Sequence, residues 1–382
     1  MKKIKIIELE QRGPPAIGGV ERNVLETSKR FSSMGFKTEI WSSDLMDWSG
    51  NKDKKRSFIH ESVKVRKFGS YNLHLPFLKI AYFSLLKKLL HVKNSKNTVL
   101  HTHSLLFHTL VSLLFAKRFR KVIVTLHLDT TSPPKGIIMK VLKLLASKKN
   151  VYITGDTENE RKFFIKQGFD SKRVFKVPNG VSIKEFEKVT KKEIMCLKDE
   201  YRLNNTFNVL YVGRLMKVKG GDLLIKALPL IKSKKVKVIF VGPDFGAQKE
   251  WAKLANELGV EKQVIFTGAL PQKKVTAFFN ACDVLTYPNY GGDSFGITLV
   301  EAMACKKPVI GARTGGAGEV IEEGKCGFIF DLGKYRQLAN KIEILLKNPS
   351  IRKKMGNYGY NLVKKKYTWD IVSKKYLNIM QK

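Results

Sequence analysis

Short apolar runs alternate with helical patterns along this chain, twice over, and that alternation restricts it to an α/β architecture. The runs at 4–9, 63–68, 99–103, 122–127 and 151–154 are rich in Val and Ile and bounded by turn residues, as buried strands require. Between them, 20–34, 77–92, 105–117 and 137–146 carry apolar residues at helical spacing. Strands that are apolar on both faces, separated by helices, imply a parallel sheet covered on each side. A second series has strands at 207–212, 236–241, 264–267, 284–287 and 309–311, with helices near 220–231, 248–258 and 273–281. At 382 residues the chain exceeds one ordinary core and suits two. The expected organisation is a first domain over 1–182, a connector over 183–205, a second domain over 206–350, and C-terminal helices over 351–382 that break near 367–369.

Charge narrows the partners. With 71 Lys and Arg against 33 Asp and Glu, the chain carries +38, which points to nucleic acid, a membrane surface or a phosphorylated substrate. Between 62 and 155 there are seventeen Lys and Arg and a single acid, Asp129, so one strongly basic face is expected in the first domain. There Lys87 and Lys88, and again Lys140 and Lys143, lie on the polar stripe of otherwise apolar helices. That pattern suits crossover helices packed on a sheet and is compatible with bilayer contact. Four cysteines show neither metal nor disulfide spacing, which fits a reducing cytosol. MKKIKIIELEQRG reads as a first core strand rather than a signal peptide, and no apolar run reaches the roughly 18 residues of a membrane span.

The residues suited to chemistry sit in the loops after strands. In 291–320, two Gly-rich turns flank one short helix. Ser294 is a candidate N-cap, and the backbone N–H groups of Phe295, Gly296, Ile297 and Thr298 would point at an anion. Glu301, one turn into the helix and eight residues after Asp293, suits the hydroxyls of a ribose. The loop 213–220 offers Arg214 and Lys219 for a diphosphate, with Lys217 as a competing candidate. Gly18 and Gly19 in the first loop would let a ligand approach the backbone. All seven histidines precede residue 130, and His101, His103 and His127 fall at strand ends. His127 is paired in this reading with Asp129, and His101 and His103 lack a third ligand at a usual spacing, so no metal is expected.

In combination, Gly18-Gly19-Val20, Thr125-Leu126-His127, Pro178-Asn179-Gly180-Val181, Gly213-Arg214 with Lys219-Gly220, the segment Asp293 to Glu301, and Gly315-Gly316-Ala317-Gly318-Glu319-Val320 resemble the retaining nucleotide-sugar glycosyltransferases of family 4. The resemblance covers nearly the whole chain. It implies the GT-B fold, two facing Rossmann-like domains with a central cleft. The second domain would bind a UDP- or GDP-sugar, with Glu301 on the ribose, Arg214 and Lys219 on the diphosphate, and Phe295-Gly296 on the sugar. It further implies catalytic roles for His127, Arg214, Lys219 and Asp293, donor contacts from Gly18, Gly19, Ser294, Ile297 and Thr298, and acceptor contacts from Asp129 and His103. Retention of anomeric configuration, no metal and no cofactor beyond the sugar donor follow from the same resemblance, as does a last helical segment that crosses back to the first domain. Two positions depart from the family pattern: Asp293 stands where Glu is usual, and Ser182 where an acid often follows the Asn-Gly-Val turn.

The expected activity is therefore hexosyl transfer to a lipid-linked or polysaccharide acceptor, by a cytoplasmic protein held peripherally at the inner, anionic face of the membrane. Two other classes are consistent with parts of the sequence. Another GT-B enzyme, a phosphorylase or sugar-nucleotide epimerase, could use the same anion cradle. A basic nucleic-acid-binding protein would explain the charge but not Glu301 or the Gly turns, and the aromatic-basic motifs of such modules are missing, so no nucleic acid is expected.

Overall fold

A computed structural model describes residues 4–16, 18–46, 50–73, 80–104, 107–128, 136–291 and 295–382. It divides into two units, Met1–Asn179 with Trp369–Lys382, and Gly180–Thr368. The residues expected to be a connector, 183–205, form the helices Ile183–Glu187 and Lys191–Glu200, which pack on the helix Gln272–Ala281 as part of the second unit. Phe186 is buried against Phe279, and the Tyr201 ring meets Phe278 edge to face at 5.0 Å. The C-terminal segment also divides. Pro349–Lys366 belongs to the second unit, and only Trp369–Gln381 joins the first.

In the first unit the strands are β1 (Lys5–Arg12), β2 (Lys37–Ser43), β3 (Ser57–His60), β4 (Val63–Phe68), the two-residue pair β5 (Tyr71–Asn72) and β6 (Ile80–Ala81), β7 (Thr98–His103), β8 (Lys121–Thr125), β9 (Val151–Gly155) and β10 (Val174–Lys176). Among the described residues the main sheet runs β10-β9-β8-β7-β1-β2-β4-β3, parallel except for β3 against β4. Its central strands are buried along nearly their whole length, because helices cover both faces. The helix expected over 77–92 is Ser84–Leu90, and part of the expected span is the strand β6 instead.

The second unit has β11 (Phe207–Val212), β12 (Val236–Val241), β13 (Val264–Gly268), β14 (Val284–Tyr287), β15 (Val309–Ala312) and β16 (Gly327–Phe330), all parallel, in the order β13-β12-β11-β14-β15-β16. Successive residues of one strand feed different cores: Leu210 and Ile239 pack into one cluster, Val209, Tyr211 and Phe240 into the other. Strand order reverses between β11 and β14 here and between β7 and β1 in the first unit. In such sheets the loops after those strands diverge and leave a crevice at their carboxyl ends.

Candidate active-site loops of the two units

In the second unit three loops are tied to one another at the reversal point. Gly220 has a left-handed backbone, φ +68°, and a Cβ there would lie 2.1 Å from the Pro288 carbonyl oxygen, so the loop after β11 packs backbone to backbone on the loop after β14. The Tyr290 N–H donates to the Val218 carbonyl at 2.9 Å and locks the same pair. A Cβ on Gly316 would strike the Phe295 backbone at 2.4–2.7 Å, and the Thr314 hydroxyl donates to the Asn289 carbonyl at 2.8 Å, which brings in the loop after β15. Small residues are needed here because backbone meets backbone.

That frame positions the expected donor residues. Gly296, left-handed at φ +80°, is the N-cap of the helix Ile297–Ala304, two residues beyond the expected Ser294. Ile297 and Thr298 form the first turn, with orphan N–H groups at the helix start. Glu301 is only 6% exposed, and Phe295 is buried with its ring edge to face on Tyr367. Lys219 is buried, while Lys217 points to solvent and pairs with Glu250 at 2.6 Å, which separates the two lysines that composition leaves equivalent. Arg214 is exposed, with its guanidinium 5.6 Å from the Phe245 ring centroid. Asp293 and Ser294 lie outside the described residues.

In the first unit, Gly18 opens the helix Gly19–Ser33. A Cβ on Gly18 would meet the Glu21 carboxylate, whereas around Gly19 the space is open. The buried Glu21 carboxylate pairs with Arg12. The histidines at the ends of β7 and β8 join a chain of hydrogen bonds reaching across the sheet. Glu8 Oε2 meets His103 Nε2 at 2.9 Å, His103 Nδ1 meets His127 Nε2 at 3.2 Å, and His127 Nδ1 meets Asp156 Oδ2 at 2.8 Å. The Asn179 side-chain amide donates to Asp156 Oδ2 at 3.0 Å, and Asn23 donates to Asn179. His101 joins from the side, with Nδ1 on Glu8 at 3.0–3.2 Å and Nε2 against the Thr125 hydroxyl at 2.8 Å. The Thr125 hydroxyl also meets those of Thr154 and Tyr376, the last from the C-terminal helix.

Three contacts between Glu8, His103, His127 and Asp156 need three protons, and a protonated Glu8 would supply one of them by donating to His103. Burial pushes the Glu8 carboxyl upward, and burial lowers His101 and His103 to about 3, so the two imidazoles beside Glu8 stay neutral.

Three expectations change as a result. His127 is oriented by Asp156, 29 positions on in sequence, where Asp129 was expected; Asp129 lies outside the described residues. His103 was expected to touch an acceptor, but its side chain is fully enclosed and both ring nitrogens are engaged, so its role is to hold His127. His127 keeps 7% of its side chain exposed and also has both nitrogens bonded. Its ring is thus held in place, on a left-handed backbone of φ +48°, which few residues other than glycine adopt. Glu8 went unremarked in the sequence because it looks like an interruption of an apolar strand. It supplies the third partner that the two histidines lack locally: the ligand atoms of Glu8, His101 and His103 lie within 4.8 Å of one another. Such donors suit a zinc-type ion, and here they are satisfied by their mutual hydrogen bonds.

Fold and loops together fit a glycosyltransferase of the GT-B type, and comparison with known proteins agrees. Residues 197–362 match the glycosyl transferases group 1, and 17–185 match glycosyltransferase family 4. The chain belongs to this family. An uncharacterized glycosyltransferase of Methanocaldococcus jannaschii is 25% identical across 100% of this chain and 99% of its own length. A capsular polysaccharide biosynthesis glycosyltransferase, CapM of Staphylococcus aureus, is 29% identical over 61% of this chain and 58% of that protein. Among solved structures, HepE of Anabaena, in complex with UDP, has a TM-score of 0.81 at 21% identity, covering 99% of this chain and 100% of that one. A glycosyltransferase of Rickettsia africae has a TM-score of 0.83 at 20% identity, covering 100% and 98%. At these identities the structural likeness speaks for the fold.

Proposed function

We propose that the chain transfers a hexose from a UDP-sugar to a lipid-linked or polysaccharide acceptor, with retention of anomeric configuration and without a metal. The observation that carries the donor assignment is the grouping of buried Glu301, buried Lys219 and the Gly296-capped helix start on loops locked together at the strand-order reversal. Glu301 takes the ribose hydroxyls, and the helix N-terminus with Arg214 and Lys219 takes the diphosphate. UDP is favoured over GDP because HepE was also solved with UDP-glucose. A glycan acceptor is favoured by the likeness to CapM.

In the reaction the acceptor oxygen bonds to the anomeric carbon as the bond from that carbon to the diphosphate oxygen breaks. The acceptor proton passes to the departing diphosphate, and Arg214 and Lys219 stabilise the charge that builds there. Phosphate-dependent sugar release, or epimerised donor formed without an acceptor, would point instead to the phosphorylase or epimerase reading. Membrane contact is assigned to the helix Ile137–Ala146, where Ile137 and Leu144 are 74% and 72% exposed beside exposed Lys140 and Lys143. Among the described residues no helix is long and apolar enough to cross a membrane.

The test is thermal stabilisation by UDP and GDP, measured for the wild type, Arg214→Ala and Glu301→Gln. UDP should raise the melting temperature of the wild type, and both substitutions should shrink that rise. Equal stabilisation of all three proteins would sink the assignment.

A further inference from the structure

The amino-terminal edge of the first unit's sheet, at the opposite end of its strands from His103 and His127, holds a second charged feature. β1, β2 and β7 run parallel, so their first residues share one edge. A cavity of 640 Å³ there is lined by Lys5 and Lys37, which open β1 and β2, by Arg66 of β4, and by Lys88 and Lys93 around the end of the helix Ser84–Leu90. Of these, Lys37, Lys88 and Lys93 are exposed.

One acid, Glu39, lies in the wall, and it is buried. It accepts from the Trp41 indole at 2.8 Å and Arg66 at 2.9 Å, and pairs with Lys5 at 3.0 Å. Burial raises its carboxyl, but these partners outweigh burial and hold it down at about 2. Glu39 is therefore committed to fixing Lys5 and Arg66 in the wall, and a single negative charge faces five positive ones. The Lys5 ammonium also lies 5.6 Å from the Trp41 ring centroid, a second attraction that holds it in the wall.

Cations spread over a surface repel little through water, but gathered around a hollow they repel more, because the walls exclude solvent. A multiply charged anion relieves that repulsion. Phosphate matches the lining better than a carboxylate does, since its several oxygens can engage the Arg66 fork and the lysine ammoniums together.

We propose that this cavity binds a phosphate group, carried by a phosphorylated solute or by the headgroup of an anionic lipid, at a site separate from the donor loops of the second unit. The proposal does not depend on the donor reading.

The test uses the full chain with UDP at saturating concentration, so that any diphosphate site in the second unit is filled. Inorganic pyrophosphate is titrated by calorimetry into wild type, into Lys88→Glu/Lys93→Glu, and into the charge-matched control Lys353→Glu/Lys354→Glu on the exposed face of Pro349–Lys366. Reversing the two cavity lysines should weaken pyrophosphate by about tenfold or more, and the control should change it little. Co-sedimentation with phosphatidylglycerol vesicles separates the two sources. Vesicle binding that the cavity variant loses and pyrophosphate competes away identifies a lipid headgroup, whereas pyrophosphate binding without vesicle binding identifies a solute. Absence of pyrophosphate binding in the presence of UDP, or equal weakening by both charge reversals, would overturn the proposal. UDP affinity measured alone on the same proteins should be unchanged, which keeps failure here distinct from failure of the donor assignment.

Discussion

Replacing Glu8 by Gln tests the proton count in the histidine chain directly. A Gln amide donates from nitrogen and accepts at oxygen, so it reproduces a protonated carboxyl and preserves the contacts to His103 and His101. It removes the cost of protonating a carboxyl that is ionised in the unfolded chain. The sign follows from the direction of the shift. Burial raises the folded-state carboxyl above its ordinary 4.5, so its contribution to stability is fully present below that value and is lost as pH rises. Each pH unit above 4.5 over which the folded carboxyl keeps its proton costs about 1.4 kcal/mol. Glu8→Gln should therefore stabilise the first unit at pH 7. The advantage should shrink by about 1.4 kcal/mol per unit as pH falls and vanish near pH 4.5. Urea unfolding of both proteins at several pH values, followed by Trp fluorescence, measures the difference, and every other titrating group cancels between them. A Gln variant less stable than wild type at pH 7 would refute the reasoning, because it would mean that Glu8 is ionised and accepts from both imidazoles.

Other outcomes follow from single contacts. Lys219→Gln should weaken UDP binding by about tenfold or more, the loss expected of a charged hydrogen bond, while Lys217→Gln, which loses only an exposed pair with Glu250, should leave it unchanged; calorimetry of the pair decides. Gly220→Ala puts a side chain on a left-handed backbone and into the Pro288 carbonyl. It should cost at least about 1–2 kcal/mol from the backbone alone, and reduce UDP affinity as the loops separate. Ile137→Glu/Leu144→Glu should abolish flotation with anionic liposomes yet leave the melting temperature near wild type, because both side chains are already largely exposed.

Much of the architecture is legible in the chain because strand burial leaves a local record. β4, β11, β12 and β14 have the ranges that their apolar runs predict. β2 leaves no such record: its sequence, KTEIWSS, is mostly polar, yet six of its seven residues are buried, with Glu39 serving Lys5, Arg66 and Trp41. The helix expected over 77–92 shortened for a related reason, since apolar spacing does not distinguish a helix from a short strand pair such as β5 with β6.

The site divides along the same line. Gly220, Gly296, Lys219 and Glu301 sit in or beside loops whose Gly spacing marks them, so their grouping after β11 and β14 can be read along the chain. Which lysine turns inward cannot, because Lys217 and Lys219 differ only in the turn of one short helical segment between them. The partners of the histidines cannot be read either. Glu8 reaches His101 and His103 because β1 and β7 pair with Glu8 opposite His101, and Asp156 reaches His127 because β9 lies beside β8. The sequence by itself determined the two parallel sheets, their loops and the residue types on them, since periodicity and turn chemistry act over a few neighbours. The tertiary structure alone decided which carboxylates meet which imidazoles, because strand register joins residues 29 and 95 positions apart.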